Sequence, residues 1–216
     1  MSRLAYATHM YVGVVVPASI IIPVIPALKK YRQLSQELKV ISWYLFAATI
    51  TSIINNMLGL RNVNNMPGMH VYTLLEFILL ALFYRKVLDG TNTGNYVVAL
   101  IPFFALASIL NTLFFQNIYT YNTYTKSIEA IIIIVLAIAY FRKNLDKLVS
   151  GESNTDPVSY INSGLLLYFS GSFIWFTVYN MTVNNVVFGM LMWSIDATFL
   201  LILYILIAIA LWKYKK

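Results

Sequence analysis

Residues 68–89 read GMHVYTLLEFILLALFYRKVLD, and the fold of the whole chain can be argued from them. They follow a loop signal, Met66-Pro67-Gly68, run apolar, and stop at the basic pair Arg85-Lys86. That is the pattern of a helix crossing a bilayer, which needs ~20 predominantly apolar residues. Inside the run sit His70, Tyr72 and Glu76. Hydrocarbon is a poor solvent for charge, so an ionisable side chain in such a span requires a partner or a purpose.

The rest of the chain repeats the pattern. Hydrophobic residues make up 60% of the 216 and charged residues 11%, against roughly 25% charged in a soluble domain. The sequence therefore predicts one all-α domain, residues 1–216, with seven transmembrane helices near 10–28, 40–60, 69–86, 96–115, 123–141, 158–180 and 186–211. The apolar amino-terminal stretch resembles a signal peptide. Lys29-Lys30-Tyr31-Arg32 follows it, however, and the expectation is an uncleaved first span. Pro17, Pro23 and Pro26 interrupt that span, and each removes a backbone donor. It is read either as a kinked peripheral helix or as a broken one lining a cavity. Ser163, Ser170, Gly171 and Ser172 place the sixth span inside the bundle, because small residues let membrane helices approach closely. The longest loop, Asn144 to Pro157, carries GESNTDP and is the stretch expected to be mobile.

The net charge of +7 has a topological reading. Lys29, Lys30, Arg32 and Lys39, then Arg85 and Lys86, then Arg142, Lys143 and Lys147, then Lys213, Lys215 and Lys216 fall on alternate connections. The other side has Arg3, Arg61 and Lys126. The positive-inside rule then puts the amino terminus outside and the carboxyl terminus in the cytoplasm. No nucleic-acid partner is implied. The endings Tyr84-Arg85-Lys86-Val87-Leu88-Asp89 and Phe141-Arg142-Lys143-Asn144-Leu145-Asp146 are alike, as convergent stop signals are.

The buried polar residues carry the functional argument. At ~1.5 Å per helical residue, Glu76, Glu129 and Asp196 lie roughly 12, 10 and 15 Å below the outer surface. Asn55 and Asn56 lie nearer that surface and His70 at its edge, while the inner half of the spans has no carboxylate. Tyr72 and Glu76 share a helix face at i,i+4, and Trp193 and Asp196 at i,i+3. Lys126 and Glu129 are also i,i+3, a spacing that suits a local ion pair. The sharp expectation is one outward-facing cavity into which Glu76, Glu129 and Asp196 point, lined also by Asn55, Asn56, Tyr72 and Trp193 and rimmed by His70. Three carboxylates in a low dielectric cannot all ionise at little cost, so a proton, a cation or a donor-rich ligand has to neutralise them. Aromatic neighbours suit a cationic or polyhydroxylated ligand. The plain alternative is that the same groups hold helices together.

Several chemistries are excluded or disfavoured. Without cysteine there is no disulfide, thiolate catalysis, cysteine-ligated zinc or Fe–S cluster. A retinal pigment needs a lysine in mid-membrane in its last helix, and here the lysines begin at Lys213. Seven-helix sugar transporters are built from parallel repeats, but the proline-rich first span has no counterpart in the fifth. With His70 alone near a span, a zinc hydrolase lacks its ligands. No catalytic residue, metal or cofactor is assigned, and an enzyme is the less favoured reading.

The pieces HVYTLLEFILLALFYRKVL, 70–88, and YINSGLLLYFSGSFIWFTVYN, 160–180, resemble a group of uncharacterised bacterial seven-helix proteins. Members of that group accompany, or resemble the membrane part of, histidine-kinase sensors. The resemblance covers the third, fifth and sixth spans. It implies a sensory role in a bacterial inner membrane, without assigned catalytic residues. The chain ends at Lys216 without an output domain, so signalling is expected to need a cytoplasmic partner in trans. Beside this sensor or receptor-like reading stand a small-molecule or ion transporter or channel and a structural subunit of a membrane complex.

Overall fold

The computed structural model describes residues 3–149, 156–182 and 185–215, and every regular element among them is helical. Seven helices are long and apolar enough to cross a membrane: α1 (Ala5–Lys30), α2 (Gln36–Leu60), α3 (Met66–Val87), α4 (Asn92–Phe115), α5 (Thr123–Lys143), α6 (Pro157–Tyr179) and α7 (Val186–Lys213). The protein is a multi-pass integral membrane protein by this criterion.

Local chemistry sets the helix starts. Thr91 accepts from the Gly94 amide at 3.0 Å and Asn185 from the Phe188 amide at 3.0 Å, satisfying donors that the first turn leaves free. Met66-Pro67-Gly68, expected to be loop, is instead the first turn of α3. Proline is at home there, because its missing N–H has no intrahelical partner to lose. Of the segment expected to be mobile, residues 150–155 lie outside the described residues.

The basic helix ends gather at one end of the bundle. Lys143 donates to the carbonyls of Val87 (3.0 Å) and Asp89 (2.7 Å), Lys30 to those of Trp212 (2.7 Å) and Tyr214 (3.0 Å), and Lys213 to the Tyr160 hydroxyl (2.7 Å). Cations placed there also meet the negative ends of the helix dipoles. The Arg85 guanidinium, hydrogen-bonded to Asp89 at 2.8 Å, holds that carboxyl below its usual range. The opposite end is tied by Asn64 donating to the Tyr119 carbonyl at 3.0 Å.

α6 packs along both α5 and α7 and is the most buried of the seven, as its small residues predict. Ser172 is fully buried and Gly171 faces Phe199 of α7, while Ser163 and Ser170 are half-buried. The helix most open to lipid is α4, not α1. α1 has the broken form: a wide π turn at Tyr11–Val15, then a break after Ala18 where Ser19 takes over the Val15 and Val16 carbonyls. Its prolines account for the discontinuity.

Towards the basic end the interior is mainly apolar, and its buried polar groups, Ser42, Tyr140 and Ser159 among them, include one pair that ties three helices. Tyr84 donates to Asn162 Oδ1 at 2.9 Å, and Asn162 Nδ2 donates to the Ala137 carbonyl at 3.1 Å, tying α3, α5 and α6 together. Asn162→Ala leaves the fully buried Tyr84 hydroxyl without its acceptor. The expected loss is about 2 kcal/mol in unfolding from detergent micelles, and an unchanged midpoint would show the contact to be dispensable.

Candidate functional site

A cavity of about 340 Å³ opens between α1, α2, α3, α5, α6 and α7 in the half of the bundle away from the basic end. Asn65 and Tyr121 stand near its mouth, and Tyr44 and Tyr204 are its deepest tyrosines. Beyond those two, Ile41, Leu80, Ile133 and Ile207 are all fully buried and close the bundle. The cavity is therefore a blind pocket.

Its charged wall is built from three helices. Lys126 of α5 donates to Glu76 Oε2 of α3 and, at 3.0 Å, to Glu129 Oε2 one turn along its own helix. Its ammonium also lies 5.6 Å from the centroid of the Tyr72 ring, within reach of a cation–π attraction. Tyr72 donates to Glu76 Oε1 at 3.4 Å. Glu76 is 2% exposed and Glu129 0%, so this is a buried ion triad with one cation between two carboxylates. Among the described residues Glu129 Oε1 has no hydrogen-bond partner.

Asp196 of α7 stands apart from the triad. It accepts from the Ser172 hydroxyl of α6 and faces the cavity with Trp193 one turn away. Tyr121, Phe176 and Tyr168 complete an aromatic surround. Tyr121 also stacks on Tyr179 at 4.9 Å. Burial, and after it the charge of Asp196, push the Tyr121 phenol up to about 12, so it remains a neutral donor.

The expected site residues divide as follows. Glu76, Asp196, Asn55, Asn56, Tyr72 and Trp193 line the cavity together. Asn55 donates to Met69 Sδ at 2.9 Å and leaves its carbonyl oxygen without a partner among the described residues. Glu129 does not reach the cavity wall; it is sealed behind Lys126. His70 does not rim the mouth either. It is buried, with Nε2 at 3.1 Å from the Thr120 carbonyl, and fastens α3 to the loop before α5. A histidine at the end of a span has backbone carbonyls within reach, and here one of them takes it.

The lysine and the deep tyrosines were not foreseen as site residues. Lys126 lines the cavity and links α5 to α3, although its spacing advertised only the local pair with Glu129. Tyr44, Tyr168 and Tyr204 lie at apolar positions of α2, α6 and α7, where a phenol is easily taken for part of an interfacial belt. Among the described residues no group of three or more potential ligands is placed to hold a metal ion. No protein-family model, curated protein or solved structure matches the chain.

Proposed function

We propose that the protein is a receptor-like sensor module of a cytoplasmic (inner) membrane. In this reading the basic end faces the cytoplasm and the cavity faces outward. It takes a small polar or cationic ligand, and occupancy is passed to a cytoplasmic partner in trans. The observation that carries the reading is the blind pocket, charged and aromatic above and closed by Ile41, Leu80, Ile133 and Ile207 below. A transporter needs a route through that closed half, and a purely structural cluster has no need of an open cavity. Intramembrane ionisable groups beside a cavity are a recognised mark of ligand or ion sites. The ion triad joins α3 to α5, and Asp196 joins α7 to α6, so a ligand that shifts either contact acts on four helices at once.

The absence of native cysteine makes the test clean. In intact cells, a membrane-impermeant maleimide is expected to label Asn55→Cys and Asn65→Cys, to label Lys86→Cys only after lysis, and to leave Ile207→Cys unlabelled throughout. Uptake of labelled tetramethylammonium into phosphatidylcholine–phosphatidylglycerol proteoliposomes should stay at the level of empty vesicles. Labelling of Ile207→Cys, or uptake above that level, favours transport. An unreactive Asn55→Cys favours the structural subunit.

A further inference from the structure

The polar cavity has a second compartment beside it. An apolar groove of about 530 Å³ runs between α1 and α2 and shares Gly13, Pro17, Ser52 and Asn56 with the cavity wall. Val14, Ala18, Ile21 and Ile53 line the groove, and all are exposed on the lipid-facing surface. The broken form of α1 accounts for the gap. Its second half, Ile21–Lys30, packs on both α7 and α2, whereas Tyr11–Ala18 packs on α7 and leaves α2. Cavity and groove thus adjoin at Gly13, Pro17, Ser52 and Asn56, the first charged and aromatic, the second hydrocarbon-like and open to the side.

Charge selects what the polar part takes. Glu76 and Asp196 line it against one cation, Lys126, whose ammonium is already shared by Glu76 and Glu129. An anion would meet two carboxylates and no uncommitted positive group among the described residues. A cation would meet Asp196, for which Ser172 supplies a single neutral donor. Trp193, Tyr121 and Phe176 line the same space, and aromatic rings are the surround that holds alkylated ammonium groups.

We propose, resting on the receptor reading, that the ligand is a cationic amphiphile: its ammonium head sits against Asp196 and its hydrocarbon chain lies in the α1–α2 groove. Such a molecule is already dissolved in the bilayer and enters sideways, without crossing the outer mouth. Charge complementarity selects the head, and the groove adjoining the cavity at Gly13, Pro17, Ser52 and Asn56 selects the tail. A hydrocarbon chain gains from a groove lined by aliphatic side chains as far as it packs better there than among lipid tails.

Tetramethylammonium, octyltrimethylammonium and octanesulfonate are the probes, with affinity read from the shift in unfolding temperature of the protein in maltoside micelles. The octyl cation is expected to bind at least about tenfold more tightly than tetramethylammonium, and the sulfonate not to bind. Ala18→Phe fills the groove without touching the polar cavity and should bring the two cations to within about twofold. Asp196→Asn should weaken both by about tenfold. Equal binding of the two cations to the wild type, still dependent on Asp196, overturns the amphiphile and leaves the outward pocket standing. A chain-length effect that survives Ala18→Phe places the tail in the micelle and overturns the proposal too. Binding of the sulfonate overturns the charge assignment. If no probe binds, the proposal falls, and the labelling experiment above decides the receptor reading separately.

Discussion

Lys126→Met is expected to destabilise the protein by about 3–5 kcal/mol, more than any other single change in the charged cluster. The ammonium lies between Glu76 and Glu129, which are 2% and 0% exposed. Without it, two carboxylates face each other in a medium that solvates neither. Each must then take up a proton or remain a buried charge, and both cost free energy. Glu76→Gln is a milder change, because Lys126 keeps Glu129 at 3.0 Å and the amide can still accept. The expected loss there is about 1 kcal/mol. The triple variant Lys126→Met, Glu76→Gln, Glu129→Gln should recover most of the stability lost by Lys126→Met, since a neutral hydrogen-bonding set no longer contains an uncompensated charge. Unfolding by sodium dodecyl sulfate in mixed micelles measures all three. If Lys126→Met costs no more than Glu76→Gln, the triad does not hold α3 to α5.

The helices were legible because each apolar run had to be long enough to span and had to stop at charged or polar residues. Both requirements are local, so a reading of 68–89 extended to six more segments. The position of Glu76 and Asp196 on one cavity was partly legible as well, because depth follows from counting residues along a helix of known rise. What could not be read was which helices are neighbours. Lys126 appears in the sequence as a basic residue near the outer end of α5, with Glu129 one turn away. That its ammonium reaches Glu76, fifty residues earlier, depends on α3 lying beside α5. The same limit explains Glu129. Its depth was right for a cavity residue, but the side chain of Lys126 stands between it and the open space. The α1 prolines carried a real signal with two readings, edge helix or cavity wall, and only the packing of Val12, Val16 and Pro17 against the cavity separates them.

Gly171→Leu is the other change expected to have a large effect. A Cβ at Gly171 would lie 2.2 Å from Cδ2, 2.5 Å from Cε2 and 2.8 Å from Cγ of Phe199. The last of these atoms does not move when the ring spins about Cβ–Cγ, so relief requires Phe199 to change its χ1 rotamer or α6 and α7 to separate. Overpacking of this kind costs about 3 kcal/mol in a well-packed interior. The next residue, Ser172, donates its hydroxyl to Asp196, so moving the helices apart also withdraws a hydrogen bond that orients the cavity carboxylate. The variant should therefore lose stability and weaken octyltrimethylammonium binding together. Ser163→Ala on the same helix is the control. That hydroxyl donates to the Ser159 carbonyl of its own turn at 2.9 Å, and its removal should stay within about 0.5 kcal/mol with binding unchanged. Adding Phe199→Ala to Gly171→Leu vacates the colliding ring and should return part of the stability, a coupling that a double-mutant cycle reads directly. If Gly171→Leu alone unfolds and binds like the wild type, close approach of α6 and α7 is not what positions Asp196.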